Sequence, residues 1–358
     1  MQHQILNSSG KPIPKITYKD GSPVVLNKME LANAHWIERQ LVERKNALGF
    51  EVPITTMTAI QKTMVDQKFY EFDITKYVPI EVGNAAYATS IITYRSFYSG
   101  GDFESGFMNN GTGGNRKPQA DARFDAVPVQ TQAWADTVSW NIFEIRQAQQ
   151  NNQLIDLITQ KQKASKKMWD LGIQSIAFLG SKSNSNIKGL LTQSGVTSNT
   201  SVMTKKISSM SDTEFQNFVA GLLPAFYAVC NYTSRPDTLI LPFDDFAGLV
   251  TPMNTNFGFK SKGEYLLDAL KVGTQNPNFQ ILPLAYSMQA NNSTVSGLNK
   301  NRAVLFNNTS DVIRMDIPVP FTNTLQNTLN NFDYQSVAFG QLTGAQVYRP
   351  LEMLYLDY

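Results

Sequence analysis

Residues Ile142–Leu179 read IFEIRQAQQNNQLIDLITQKQKASKKMWDLGIQSIAFL, with no proline and Gly172 as the only glycine. Nothing there forces a break, so the pattern predicts one helix. At a rise of ~1.5 Å per residue it would be a rod roughly 57 Å long. Just upstream, Ser99–Lys117 (SGGDFESGFMNNGTGGNRK) carries too few aliphatic side chains to bury a core of its own. Its flanks alternate at period two: Ala88–Tyr98 (ATSIITYRSFY) predicts a strand and Arg123–Trp140 (RFDAVPVQTQAWADTVSW) a return strand. The three stretches describe a long β-hairpin with a hydrophilic tip that leads into the long helix. A free hairpin of that size is marginal alone, so it is expected to lie against a neighbouring chain.

The rest of the chain can supply a substantial body. At 358 residues, with 42% hydrophobic and 17% charged side chains, it can bury a large core divided into two or three subdomains. The formal net charge of +2 is too small for a dedicated nucleic-acid binder. Lys161, Lys163, Lys166 and Lys167 form one local basic patch, which also reads as a solvated helix face. Cys230, the only cysteine, ends an apolar run and is expected to be a buried small hydrophobe. The first residues lack the apolar core of a signal peptide, and no stretch of eighteen apolar residues exists. These features predict a cytosolic setting, in which the Asn-x-Ser/Thr sites at Asn199, Asn231, Asn292 and Asn308 meet no glycosylation machinery.

The remaining elements follow from local signals. Residues 1–30 read as an arm, followed by a helix at Leu31–Leu48 and a weaker one at Thr58–Lys68. Phe72–Val82 alternates as a strand. Ser211-Asp212-Thr213-Glu214 is a capping box that opens a helix through Cys230, with a kink expected at Pro224. Beyond Arg235 the chain alternates: strands at Thr238–Leu241, Phe279–Leu284, Arg302–Phe306 and Val312–Val319, helices at Asp244–Val250 and Glu264–Val272. Gln335–Phe339 and Ala345–Tyr355 predict a final hairpin, Pro350 placing its last strand at an edge or bulge.

Residues capable of catalysis do not converge. His3 and His35 are far apart, and neither has a ligand partner three or four residues on, which argues against a metal site or a Ser-His-Asp triad. Gly111–Gly114 (GTGG) lacks phosphate-loop spacing and a following helix. Asp244-Asp245 sits where acidic residues commonly open a helix. No catalytic residue, cofactor or metal is expected.

The order of parts is more telling than any motif: arm, helix, projecting hairpin, very long helix, the phrase Asn186–Leu191 (NIKGLL), an α/β region with Arg235–Pro242 (RPDTLILP), and Gly344–Pro350 (GAQVYRP) before Leu351–Tyr358. It resembles the tailed-bacteriophage major capsid proteins of the Hong Kong 97-type fold, over nearly the whole chain. The resemblance implies an α+β protein with an N-terminal arm and first helix at 1–50 and peripheral-domain strands at 51–89. An extended loop would follow at 90–131, then a peripheral domain at 132–230 with its spine helix at 142–179, an axial domain at 231–319 and peripheral return strands at 320–358. It also implies self-assembly into pentamers and hexamers that enclose double-stranded DNA, contacted non-specifically. Portal and head-completion proteins would be partners. The absence of a long ordered pattern before residue 30 suggests a separate scaffolding protein. The product would be a virion capsid, assembled in the host bacterial cytoplasm.

On this reading the loop residues Arg95, Asp102, Glu104, Arg116, Lys117 and Arg123 make inter-subunit contacts. The arm residues Ile13, Ile16 and Tyr18 pack on an adjacent subunit, and the four lysines face DNA or a neighbour's acids. Some relatives join a loop lysine to a neighbour's asparagine; Lys117 lies in the corresponding loop, but the sequence fixes no acceptor. An encapsulin-like shell around cargo enzymes is the alternative on the same fold, and a soluble enzyme the alternative from another class.

Overall fold

The computed structural model describes residues 67–101, 103–104, 119–150, 157–253, 260–296, 298–325, 327–328, 330 and 332–358. The predicted arm, both early helices, and Ile13, Ile16, Tyr18, Asp102, Arg116 and Lys117 lie outside them. Apart from a few bordering residues, the described chain forms one compact unit, Phe69–Ala148 with Ile155–Tyr358.

The elements run β1 (Ile80–Val82), β2 (Ser90–Ser99), β3 (Asp121–Gln130), β4 (Gln132–Asn141), α1 (Ile142–Gln150), α2 (Leu157–Leu179), β5 (Thr197–Asn199), α3 (Asp212–Cys230), β6 (Thr238–Pro242) and α4 (Phe243–Gly248). They continue with α5 (Lys262–Thr274), β7 (Gln280–Leu284), α6 (Gln289–Ser296), β8 (Arg302–Phe306), β9 (Ile313–Ile317), β10 (Val319–Asn323), β11 (Asn327–Thr328), β12 (Asp333–Leu342), β13 (Gln346–Val347) and β14 (Met353–Asp357).

The centre is a five-stranded sheet in the order β5-β14-β8-β6-β7. Its inner strands are buried throughout, so they read as continuous apolar runs rather than alternating ones. Alternation reappears in which core each side chain joins. Val304, Phe306, Met353, Tyr355 and Ile240 face one cluster with Trp169, Ile173, Ala177 and Phe178 of α2. Ala303, Leu305, Leu354, Leu356, Leu239 and Leu241 face the other, with Phe215, Phe218, Leu222 and Phe226 of α3 and Leu266 and Leu270 of α5. The sheet is thus a plate between two helical layers.

The segment predicted as one rod carries α1 and α2. Asn141 caps α1, accepting from the Glu144 amide at 2.8 Å. α2 has 23 residues, roughly 35 Å at the helical rise. Residues 151–156, on which continuity depends, lie outside the described set. Ser165, Trp169, Ile173 and Ala177, four apart, form the buried stripe of α2.

The NIKGLL phrase is the end cap of α2. The last carbonyls of a helix have no partner inside it. Here the Leu190 amide donates to Ala177 O at 2.8 Å and the Leu191 amide to Phe178 O at 2.9 Å, after the chain reverses through Gly180 at φ +81°. A Cβ on Gly189 would stand 2.3 Å from the Phe178 carbonyl carbon. Gly189→Ala is therefore expected to displace the turn and orphan both carbonyls, costing roughly 3 kcal/mol. Thermal unfolding should show a clear drop in Tm, with Gly195→Ala, whose Cβ would meet only the Pro350 side chain at 3.5 Å, close to wild type.

The capping box at Ser211 and Glu214 forms as expected, and α3 ends at Asn231 in the left-handed conformation. α3 is unbroken at Pro224. The proline and Ala220, whose carbonyl loses its intrahelical donor, both lie on the exposed side.

Four strand expectations are corrected. Phe72–Val82 is not one strand: Asp73 caps a 3-10 turn at Ile74–Lys76, accepting from the Thr75 amide at 3.1 Å, and only β1 is extended. Arg123–Trp140 is two strands, β3 pairing with β2 and β4 with β12, separated at Thr131. Val312–Val319 splits at Pro318, which has no N–H to give: β9 pairs with β1 and β13, β10 with β12. The predicted final hairpin does not exist, since β12 pairs with β4, β10 and β11, while β14 lies between β8 and β5. Pro350 belongs to a 3-10 turn before β14, so it puts that strand at neither an edge nor a bulge.

Candidate assembly interface

The hairpin expected at 90–131 is present as β2 and β3, paired antiparallel over ten residues from Ser90↔Gln130 to Ser99↔Asp121. Residues directly opposite share a face, which divides the ribbon. The inner face carries Ile91, Thr93, Arg95, Phe97 and Ser99 against Val129, Val127, Asp125, Arg123 and Asp121. Ile91 and Val129 are buried on the body. The outer face carries Ser90, Ile92, Tyr94, Ser96 and Tyr98 against Gln130, Pro128, Ala126, Phe124 and Ala122. It holds no charge, and Ile92, Tyr94, Tyr98 and Phe124 are 54%, 70%, 83% and 71% exposed. Monomeric proteins rarely leave contiguous aromatic surface in water; such surface marks an interface.

The inner face is tied to the body through a polar cluster. Arg95 pairs with Asp125 at 2.7 Å and donates to Tyr348 O at 3.3 Å, while Thr93 Oγ1 donates to the Tyr348 hydroxyl at 3.4 Å. The Arg314 guanidinium lies over the Tyr348 ring, 5.3 Å from its centroid. Arg314 also touches Asp316 Oδ1 at 3.0 Å and Glu81 at 3.4 Å; the Asp316 contact is ionic, without hydrogen-bond alignment. Burial pushes the Asp316 carboxyl above its usual range, and Arg314 opposes that shift. A cleft of about 710 Å³ lies beside the base of the stem, between Arg95, Val129 and Gln130 on one side and Asn186, Lys188 and Gln193 on the other.

Residues 108–358 match the family model of the major capsid protein. The chain belongs to that family. Solved structures agree on the fold. The capsid of Myoviridae Phage XM1 superposes with a TM-score of 0.67 at 16% identity, covering 87% of this chain and 99% of that one. The capsid of a native GTA particle gives 0.56 at 9% identity, with 84% and 95% covered. The mature capsid of bacteriophage PhiM1 gives 0.51 at 10%, with 84% and 91% covered. No curated protein matches the sequence significantly. This major capsid protein is a structural component of a virion shell, not an enzyme, and its α+β fold is the Hong Kong 97-type fold that the sequence resembles.

The charged residues expected to make inter-subunit contacts are placed unevenly. Arg95 is engaged by its own chain on the inner face, Arg123 is exposed on that face opposite Phe97, and Glu104 is exposed at the start of the tip. The lysine face of α2 is divided: Lys161 binds Glu144 and Ser139 O at 2.7 and 2.8 Å, and Lys167 binds Glu71 beside the Phe69 ring. Lys163 and Lys166 remain exposed. Among the described residues no cluster of His, Cys, Asp or Glu could hold a metal, and no helix is long and apolar enough to cross a membrane. Asp245 of the acidic pair is buried and accepts from the Ile207 amide at 2.6 Å and from the Tyr358 hydroxyl, while Asp244 pairs with Lys206. The residues that sequence reasoning passed over are Ile92, Tyr94, Tyr98 and Phe124. The signal was already in the period-two pattern, once the strand register separated the two faces.

Proposed function

We propose that this capsid protein assembles into hexamers and pentamers that close an icosahedral head around double-stranded DNA, with the hairpin as the extended loop lying over a neighbouring subunit. The observation that carries the reading is the uncharged, aromatic, solvent-facing side of a two-stranded ribbon that would be marginal alone. The arm, within the segment 1–50 that also holds the first helix, and the extended loop (90–131) reach adjacent subunits, the arm through Ile13, Ile16 and Tyr18. Residues 51–89, 132–230 and 320–358 make a peripheral domain and 231–319 an axial domain. The charged tip residues Asp102, Glu104, Arg116 and Lys117, with Arg123, refine the register of neighbours; surface pairs of this kind contribute ~0–1 kcal/mol each, multiplied by the repetition of the shell. The exposed Lys163 and Lys166 contact either packaged DNA, without sequence preference, or a neighbour's acids. Assembly takes place in the host cytoplasm with a separate scaffolding protein, and portal and head-completion proteins finish the head.

Full-length protein expressed with and without a candidate scaffold, sedimented and imaged by negative-stain electron microscopy, tests this. Shells or discrete pentamers and hexamers are expected. Deleting Gly100–Gly114 should leave a folded subunit that forms no closed particles, and normal particles from that deletion would exclude the loop's role. Particles filled with protein instead of nucleic acid would replace the genome with a cargo.

A further inference from the structure

The hairpin joins the body through two short feet, and one side chain holds both. The first foot, Gly83–Tyr87, leaves β1 through three left-handed residues: Gly83 at φ +85°, Ala85 at +56° and Tyr87 at +63°. For Ala and Tyr this conformation is sterically unfavourable and persists only where its surroundings impose it. The second foot is Thr131, between β3 and β4. Gln341, buried near the end of β12, accepts from the Tyr87 amide at 2.9 Å and donates to Ala88 O at 2.6 Å and Thr131 Oγ1 at 2.9 Å. Thr131 Oγ1 in turn donates to Ala88 O at 2.6 Å. A backbone amide can only donate and a backbone carbonyl can only accept, so these partners fix both ends of the Gln341 amide. Beyond the feet, Asn186 Nδ2 donates to Gln130 Oε1 at 3.2 Å, a longer contact made by two exposed side chains at the cleft.

We infer that Gln341 is a positioning residue for assembly: it fixes the direction in which the hairpin leaves the body, with Gly83–Tyr87 as the hinge. Freed from Gln341, the first foot relaxes from its left-handed turn and the stem pivots about Thr131. The contacts of Thr93 and Arg95 with Tyr348, at 3.3–3.4 Å, are longer than those made by Gln341 and steady the stem without setting its root. The angle so fixed determines where the aromatic face meets a neighbour, a consequence that rests on the proposed role of the hairpin in assembly.

The test uses the full-length subunit with nitroxide labels at Ser96→Cys on the outer face and Thr213→Cys on α3, diluted into unlabelled protein. The native Cys230 is buried and stays in place. Gln341→Leu removes all three hydrogen bonds, Gln341→Glu keeps only the acceptor, and Ser336→Ala perturbs the same strand away from the feet. In Gln341→Leu the inter-label distance distribution should broaden, and amide exchange at Tyr87 should rise roughly tenfold, the effect of losing one ordinary hydrogen bond on local opening. Gln341→Glu should fall between Gln341→Leu and wild type, and Ser336→Ala should match wild type in both readouts. An unchanged distribution in Gln341→Leu, or equal broadening in Ser336→Ala, overturns the inference. Broadening accompanied by particles of normal yield and diameter upholds the grip of Gln341 on the stem and refutes the hairpin's part in assembly.

Discussion

Replacing Tyr94, Tyr98 and Phe124 together with serine is expected to abolish closed particles while leaving the subunit folded. In the free chain all three are already mostly in water, and substitutions at such positions usually shift stability by no more than about 0.5 kcal/mol. In a shell the same side chains would be covered. Fully burying a large apolar side chain contributes about 1.5–3 kcal/mol, so three of them amount to roughly 5 kcal/mol per contact. Since each 1.4 kcal/mol is tenfold in an equilibrium constant, pairwise association weakens by more than about a thousandfold. Circular dichroism and the melting temperature should match wild type, while sedimentation shows only small species at concentrations where wild type forms shells. Assembly at an unchanged threshold concentration would mean that the aromatic face is not the contact.

Asp357→Ala should be among the most damaging single changes in the body. Asp357 is buried at the end of β14 and accepts from Arg302 Nε at 2.6 Å, Arg302 Nη2 at 2.7 Å, Lys300 at 2.7 Å and the Ser198 hydroxyl. Arg302 lies 4.1 Å from the Tyr355 ring centroid and donates to Leu191 O at 2.5 Å, so the same group fastens the cap of α2 to the sheet. Removing the carboxylate strands a guanidinium in the interior, a change that costs about 3–5 kcal/mol when one partner of a buried pair is lost. Arg302→Met with Asp357→Leu should cost less than Asp357→Ala alone, because no unpaired charge remains. A double variant less stable than the single one would refute this account.

The pair also has a pH signature. Burial raises the Asp357 carboxyl, but the hydrogen bonds from Arg302, Lys300 and Ser198 outweigh it and leave the group below its usual range. A depressed folded-state pKa contributes stability that is complete above the unfolded value of about 3.9 and disappears as pH falls through the lower folded value. Acid unfolding of the wild type should therefore steepen below about pH 4. Asp357→Asn should flatten that limb while lowering stability at neutral pH.

Much of the architecture was legible in local signals. The hairpin, the helical character of α2, the Ser211 capping box and the buried strand TLIL each depend on residues close in sequence, where periodicity and capping chemistry act. Two misses, the turn capped by Asp73 and the break at Pro318, had local causes; the others were pairings decided at long range. β14 is central because its two apolar faces are claimed by two cores, one on each side of the sheet, and no nearby residue records that. The charged loop residues drew attention as contacts because charge is visible in a sequence. The facing of Arg95 toward Asp125 and of Tyr94 away from the body emerges only from strand register. Gln341 was invisible for the same reason: its partners at Tyr87, Ala88 and Thr131 lie more than two hundred residues away.

The central plate also divides the chain into parts that tolerate length change and parts that do not. In β8 the side chains go alternately to two different cores, Ala303 and Leu305 to one, Val304 and Phe306 to the other. Adding or removing a single residue there would exchange the two sets and put small groups where large ones belong, on both faces at once. Apart from Arg302, held by Asp357, residue identity in β8 can drift while its length is frozen. An epitope grafted into this subunit therefore has no place in the plate, and the grafting sites are the surface loops between elements.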